Sequence, residues 1–413
     1  ALDRLYGGAG GGAADADEID DADLERLADL ASDAPAIRAV NRLITAAVEA
    51  RASDIHLEPT EAALQVRFRI DGALADQASL PGAMKAAAVS RIKVMAGLNI
   101  AERRLPQDGR ARLTVRGHDV DLRIATSPTI YGEGVVLRLL DRSRLSLDLD
   151  ALGFAGPVRK QFHDVLARPH GILLVTGPTG SGKTTTLYAA LSTLNAPDRK
   201  LLTIEDPIEY RLARVNQTQV APGIGLTFAA ALRSFLRQDP DIIMVGEVRD
   251  LDTAQVAIQA ALTGHMILST LHTNSAAAAV TRLIDMGVEP FLITSTLNAV
   301  LGQRLVRRLC EHCRRPCDGQ AGRSLRGDGF PVGWKASGCP QCQGAGFHGR
   351  TAILELLKVD ETIAQLILRR AHSQEIEAAA VAQGMKTMLQ DGAEKVAAGW
   401  TTMEEILRVT RDD

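Results

Sequence analysis

The chain has 413 residues, of which 46% are hydrophobic, 23% charged and only 3% aromatic. That length is more than one core fills, so two main domains are expected, and the composition is that of a folded globular protein rather than a disordered one. A formal net charge of -3 gives no global attraction to nucleic acid, and no apolar run reaches the ~18 residues of a membrane span, so a cytosolic location is expected.

In chain order, the first 23 residues read as a flexible linker, because Gly7–Asp23 mixes glycine with closely spaced acids and cannot form a core. No charged-then-apolar leader opens the chain. It begins at Ala1 rather than methionine, which leaves room for a processed or engineered start and an absent upstream domain. A helical pattern runs through Leu43, Ile44 and Val48. LQVRFRIDG then places Leu64, Val66, Phe68 and Ile70 on one strand face and turns at Asp71-Gly72. RLTVRGHDVDLRI alternates on both sides of Gly117-His118, a hairpin with Leu113, Val115, Val120, Leu122 and Ile124 inward. Residues 24–142 are predicted to form a small α+β domain, followed by a linker over 143–150.

From 151 to 309, short apolar strands alternate with helices: GILLVTG, TTTLYAALSTL, KLLTIED, DIIMVGE and MILSTLHT. This predicts an α/β domain with a largely parallel sheet. Residues 310–349 form a glycine- and arginine-rich module with little periodicity, and helices are expected over 350–413. Thr402, with Glu405 three residues later, signals a capping box.

GPTGSGKT, Gly177 to Thr184, meets the full phosphate-loop pattern between a strand and a helix. Gly177, Pro178, Thr179, Gly180, Ser181, Gly182, Lys183, Thr184 and Thr185 are the predicted nucleotide-binding residues. Glycines allow successive amides to surround phosphate oxygens, Lys183 reaches the β and γ phosphates, and Thr184 ligates magnesium. Glu247 follows a buried strand at its carboxyl end, where ligands sit in open α/β sheets, and can polarise water or hold magnesium through water. EDPIE brings Glu205, Asp206 and Glu209 toward the same edge, and at least one of them serves magnesium or structure. His265 and His272 bracket MILSTL and lie roughly 20 Å apart if extended. His272, after the strand, is the predicted site residue, whereas a helix-terminal contact or a core position competes for His265.

Cys310-x-x-Cys313 and Cys339-x-x-Cys342 are separated by 25 residues, longer than the commonest zinc spacing but compatible with one tetrahedral zinc site, structural because no ligand position stays open. His312, Cys317 and His348 are spare ligand candidates. Arginines 304, 307, 308, 314 and 315 crowd the approach; they read either as a solvated face or as a contact with an anionic membrane surface.

The succession ASDIHLEP, RFRIDG, RRLPQDGR, GPTGSGKTTTLYAAL, TIEDPIEY, DPDIIMVGEVRD, TGHMILSTLHTN and CPQCQGAGFHGR resembles the secretion ATPase superfamily, and most closely the type II secretion ATPases, from about Ser53 onward. The resemblance implies a PAS-like N-terminal domain joined flexibly to a RecA-like motor domain with nucleotide between them, a homohexameric ring, and ATP, magnesium and zinc as cofactors. It implies that Glu209 and Glu247 support hydrolysis and that Arg123 and Arg138 meet the phosphates. The ring would work against inner-membrane platform proteins, adding pseudopilin subunits, peripherally attached on the cytoplasmic side. The full-length family pattern carries an extra docking domain with no counterpart here, and Gly134 stands where many relatives carry arginine. The type IV pilus extension ATPases share the phosphate loop and cysteine module. From other classes, an ATP-driven zinc-ribbon nucleic-acid module is disfavoured by net charge and few aromatics, and a nucleotide-binding scaffold without turnover would leave the acids idle.

Overall fold

The computed structural model describes residues 34–141, 147–317 and 333–410. Most of the predicted 1–23 and 143–150 linkers therefore lies outside the described residues. Among those described, no helix is long and apolar enough to cross a membrane. The chain divides into two compact units, Ala1–Ser143 and Arg144–Asp413.

The first unit runs α1 (Ala34–Glu49), β1 (Ala52–Pro59), β2 (Ala63–Ile70), β3 (Ala73–Pro81), α2 (Lys85–Ala96), β4 (Gln107–Val115), β5 (His118–Thr129) and β6 (Gly132–Asp141). The strands form one antiparallel sheet in the order β3-β2-β1-β6-β5-β4. Alternation decides its faces: Leu64, Val66 and Phe68 of β2 and Val120, Leu122 and Ile124 of β5 pack with Val40 and Ile44 of α1 into one core. Asp71 and Gly72 take positive φ of 49° and 88°, closing the β2–β3 hairpin as a left-handed two-residue turn. The second hairpin turns one residue earlier than expected: Arg116 and Gly117 carry the positive φ, and His118 already opens β5.

The second unit continues with α3 (Leu149–Leu152), α4 (Gly156–Leu166), β7 (Gly171–Thr176), α5 (Lys183–Leu194), β8 (Leu201–Glu205), β9 (Val215–Gln219), α6 (Phe228–Phe235), β10 (Ile242–Val245), α7 (Leu251–Leu262), β11 (Met266–Leu271), α8 (Ala276–Asp285), α9 (Pro290–Thr296) and β12 (Leu297–Leu309). After β13 (Arg315–Pro316) and β14 (Trp334–Lys335) come β15 (Phe347–Lys358), α10 (Glu361–Leu368), α11 (Ser373–Ala382), α12 (Met388–Ala397) and α13 (Met403–Thr410). Its main sheet has the order β15-β12-β7-β11-β10-β8-β9, parallel except at β15. This is a RecA-like arrangement. Strands β7, β8, β10 and β11 are buried along their whole length, as apolar runs must be when both sheet faces are covered. Alternate residues serve opposite cores: Leu174, Ile204 and Val245 face one, Leu173, Val175 and Met244 the other.

The C-terminal region, expected to be dominated by helices, opens instead with a strand. TAILELL is an apolar run bearing β-branched residues, and it pairs with β12 as an edge strand from Phe347 to Lys358 before helices take over at Glu361. Helices α12 and α13 close over that edge, burying Met388, Val396, Met403 and Ile406 against Val306 and Ile353. The capping box expected at Thr402 forms in one direction only. The Glu405 amide donates to the Thr402 hydroxyl at 3.4 Å, while the Glu405 carboxylate accepts from Arg307 and Arg408 at 2.6 and 2.8 Å. A full box, unanticipated, starts α12 at Thr387 and Gln390.

Candidate nucleotide site and cysteine centre

The phosphate loop spans the gap from β7 to α5. Its glycines are dictated by crowding: a Cβ on Gly177 (φ 151°) would collide with the Gln303 carbonyl oxygen, and one on Gly182 (φ 86°) would come within 2.9 Å of Gln303 Nε2. Gly180 also takes a left-handed φ of 80°. Lys183 is buried at the first turn of α5, and its ammonium donates to the carbonyls of Gly177 and Pro178 at 2.8 and 3.0 Å. Burial pulls its pKa down to about 8, with the Glu247 carboxylate working the other way. Pro178, Thr179 and Gly180 are exposed, as is Thr184, and Thr185 is half-buried. The Ser181 hydroxyl is buried with no hydrogen-bond partner among the described residues, a polar atom that suits a phosphate oxygen.

Three neighbouring strand ends converge on this loop. Thr176, the last residue of β7, accepts from the Thr273 amide at 3.0 Å and donates to Leu271 O at 3.1 Å, so the loop's entrance is tied to the segment carrying His272. Glu247 follows β10 and is held from both sides: Gly246 N bonds Ile204 O at 2.8 Å and Val248 N bonds Thr270 O at 3.0 Å. Its carboxylate lies 2.5 Å from Arg249 Nη2 and 3.4 Å from His272 Nε2. Burial lowers the His272 pKa, and Lys183 lowers it further against the pull of Glu247, which favours a neutral imidazole near pH 7.

The acid-box residues separate by environment. Glu205 is buried and accepts from the Tyr188 hydroxyl, from Thr203 Oγ1 at 2.5 Å and from Gln217 Nε2 at 3.0 Å, which makes it a structural tie between α5, β8 and β9. Asp206 is exposed, and Glu209 is half-buried with its amide donating to Tyr188 at 3.3 Å. His265 stays at the opposite end of β11, where Nδ1 contacts the Ala260 carbonyl at 2.8 Å at the C-terminus of α7.

In the first unit, Arg123 and Arg138 face each other across β5 and β6, on the sheet face opposite Ile124 and Leu137. Arg138 Nε pairs with the buried Asp54 at 3.0 Å.

Cys310, Cys313, Cys339 and Cys342 bring their sulfurs within 4.8 Å of one another. The Sγ–Sγ separations are 3.8 Å for 310–339, 3.8 Å for 313–342 and 3.7 Å for 339–342. A tetrahedron with zinc–sulfur bonds of about 2.3 Å has edges of about 3.8 Å, so the residues present fit that ion. His312, Cys317 and His348 stand outside the group. The amides of Cys339 and Gly346 donate to Cys342 Sγ at 3.2 and 3.1 Å. Burial opposes a Cys342 thiolate, yet these amides and the neighbouring thiols hold its pKa at about 7.

Four of the five arginines leading into this centre have partners within the chain, while Arg315 is exposed. Arg304 is buried and donates to the Val409 carbonyl. Arg307 pairs with Glu405 and lies 4.1 Å over the Phe347 ring, and Arg308 pairs with Glu311 at 2.7 Å with the Trp400 ring 5.5 Å away. Arg314 lies 5.0 Å over Trp334 and donates to Gly399 O at 2.5 Å.

Three contributors escaped the sequence reading: Gln303, Arg249 and the Thr176–Thr273 tie. Gln303 left a weak signal, being one of three polar residues, with Asn298 and Arg304, in the buried part of LNAVLGQRL; Arg249, in a charged loop, left none.

A family model described as type II/IV secretion system protein matches residues 29–408. The chain belongs to that family. Type II secretion system protein E of Xanthomonas campestris pv. campestris is 54% identical over 97% of this chain and 71% of its own length. The type IV pilus assembly ATPase PilB of Myxococcus xanthus is 47% identical over 94% of this chain and 70% of its length. Among solved structures, the Legionella pneumophila ATPase DotB superposes with a TM-score of 0.68 at 23% identity, over 90% of this chain and 95% of that one. The pilus retraction motor PilT with bound ADP gives 0.59 at 27% identity, over 89% and 96%. Membership of this family supports ATPase activity.

Proposed function

We propose that the chain is the magnesium-dependent, ATP-hydrolysing subunit of a hexameric motor that powers pseudopilus assembly and protein export by a type II secretion system. The observation that carries this reading is the phosphate loop with buried Lys183, next to Glu247 and His272 on the adjoining strand ends of a RecA-like sheet. Lys183 and the loop amides hold the β and γ phosphates, and exposed Thr184 offers a hydroxyl to magnesium, which when bound neutralises charge on the phosphate oxygens. Glu247 orients and polarises the attacking water, Glu209 and His272 assist, and Arg123 and Arg138 supply guanidinium groups to the phosphates. The four cysteines hold one structural zinc.

A cytoplasmic chain attached peripherally to the inner membrane through platform proteins fits this role. Arg304, Arg307 and Arg314 are engaged within the chain, so a contact with anionic lipid would rest on exposed Arg315 and partly exposed Arg308. A pilus extension ATPase is the second reading, favoured by the 47% identical relative. Phosphate release from ATP by the full chain, with and without magnesium and with and without nucleic acid, tests the proposal. Magnesium-dependent turnover unaffected by nucleic acid is expected; absence of turnover, or turnover only with nucleic acid, would overturn it.

A further inference from the structure

Gln303 lies in β12, far in sequence from the phosphate loop, yet its buried side-chain amide bonds both that loop and the helix behind it. Nε2 donates to the Ser181 carbonyl at 2.7 Å, and Oε1 accepts from the Thr186 hydroxyl at 2.7 Å. The two partners fix the amide's orientation, because the reverse would set two acceptor oxygens against each other at Ser181. The backbone of Gln303 also reaches the other end of the loop, where its carbonyl oxygen leaves no room for a Cβ at Gly177. One residue therefore touches both ends of the loop.

The consequence follows from peptide geometry. The 181–182 peptide is planar and trans, so its carbonyl and its N–H point in opposite directions. Fixing the Ser181 carbonyl toward Gln303 aims the Gly182 N–H away from β12. In a phosphate loop, amides so turned are the ones that surround phosphate oxygens. The second bond reaches Thr186, one turn into α5, and holds the helix N-terminus that carries Lys183 against the same strand. We infer that Gln303 is a positioning residue for the phosphate chain of the nucleotide: it presets the loop amides and Lys183 without touching the substrate. This rests on the nucleotide-binding reading of the loop.

The test measures, on the full chain, the dissociation constants of magnesium-ATP and of inorganic pyrophosphate, which probes the phosphate site without base or sugar. Gln303→Leu keeps the volume and removes both hydrogen bonds; Thr186→Val removes one, and Thr186→Ser retains it. Gln303→Leu is expected to weaken both ligands by about tenfold, consistent with an amide network mis-set by one or two lost bonds. Thr186→Val should weaken both by a smaller factor, and Thr186→Ser should bind like the parent chain. A purely structural role would lower the melting temperature while the folded protein bound both ligands as before, and that result overturns the inference. Should Gln303→Leu fail to fold, the Thr186→Val and Thr186→Ser pair decides alone: equal binding by the two contradicts it. A parent chain that binds ATP and pyrophosphate but never hydrolyses ATP would sink the motor proposal and leave this test intact.

Discussion

Glu247 and His272 stand 3.4 Å apart on loops that leave two neighbouring parallel strands, β10 and β11. Because burial and Lys183 depress the imidazole pKa below its usual 6.5, His272 is neutral near pH 7 and gains its proton only in more acidic solution. Turnover is therefore expected to hold steady down to pH 6.5 and to decline below it, with His272→Gln removing that acidic limb. A pH–rate profile of both proteins checks this; the same limb in both would dissociate His272 from the chemistry.

Lys183, with its pKa drawn down to about 8, should couple nucleotide binding to proton uptake. Phosphate oxygens favour the ammonium, so the bound pKa is higher than the free one, and affinity is lost as pH rises through the free value. Between pH 8 and 9.5 the dissociation constant of ATP should rise by up to about tenfold per pH unit. Titrations across that range test it, and an affinity independent of pH would contradict it.

The cysteine centre should carry about one zinc per chain by elemental analysis of unchelated protein. Replacing Cys342 with serine removes the sulfur that receives two backbone amides, and should release the metal and lower the melting temperature of the second unit. Metal-free protein with unchanged stability would refute the assignment.

Much of this was legible in the sequence, for reasons that differ between elements. Apolar runs such as GILLVT and IIMV require strands covered on both faces, and the phosphate-loop pattern lies between strand β7 and helix α5 as read from the sequence. The failures lie where tertiary partners override local pattern. TAILELL lies in a region otherwise patterned for helices and becomes an edge strand because β12 offers it a free ladder. Buried Glu405 abandons half of its capping box because Arg307 and Arg408 bind a carboxylate more strongly than a backbone amide does. Glu205 became distinguishable from Glu209 only once Tyr188, Thr203 and Gln217 were seen to surround it. The arginines before Cys310 resembled a basic surface; Arg308 pairs with nearby Glu311, but the partners of Arg304 and Arg307, the Val409 carbonyl, Glu405 and the Phe347 ring, are distant in sequence and no spacing rule reveals them.

Arg138 and Arg123 should matter for turnover rather than for folding. Arg138→Ala and Arg123→Ala are each expected to lower ATP turnover strongly, on the scale of the ~10³ or more that a guanidinium contributes at a phosphoryl transition state. Arg112→Ala, on the same sheet but paired with Asp119 and Asp121 at 3.2 and 3.7 Å, should turn over like the parent chain. Equal rates for all three variants, with melting temperatures preserved, would rule out the role.

The central claim, that Glu247 drives hydrolysis at the phosphate loop, is tested most directly by measuring ATP binding and phosphate release side by side for the full chain, Glu247→Gln and Glu209→Gln. The glutamine at 247 keeps the shape and loses the charge that polarises water, so ATP should bind with near-parental affinity while phosphate release falls by about a hundredfold or more. Glu209→Gln should retain more of its rate. Parental phosphate release from Glu247→Gln, with Glu209→Gln inactive, would contradict the account and transfer the role to the acid box.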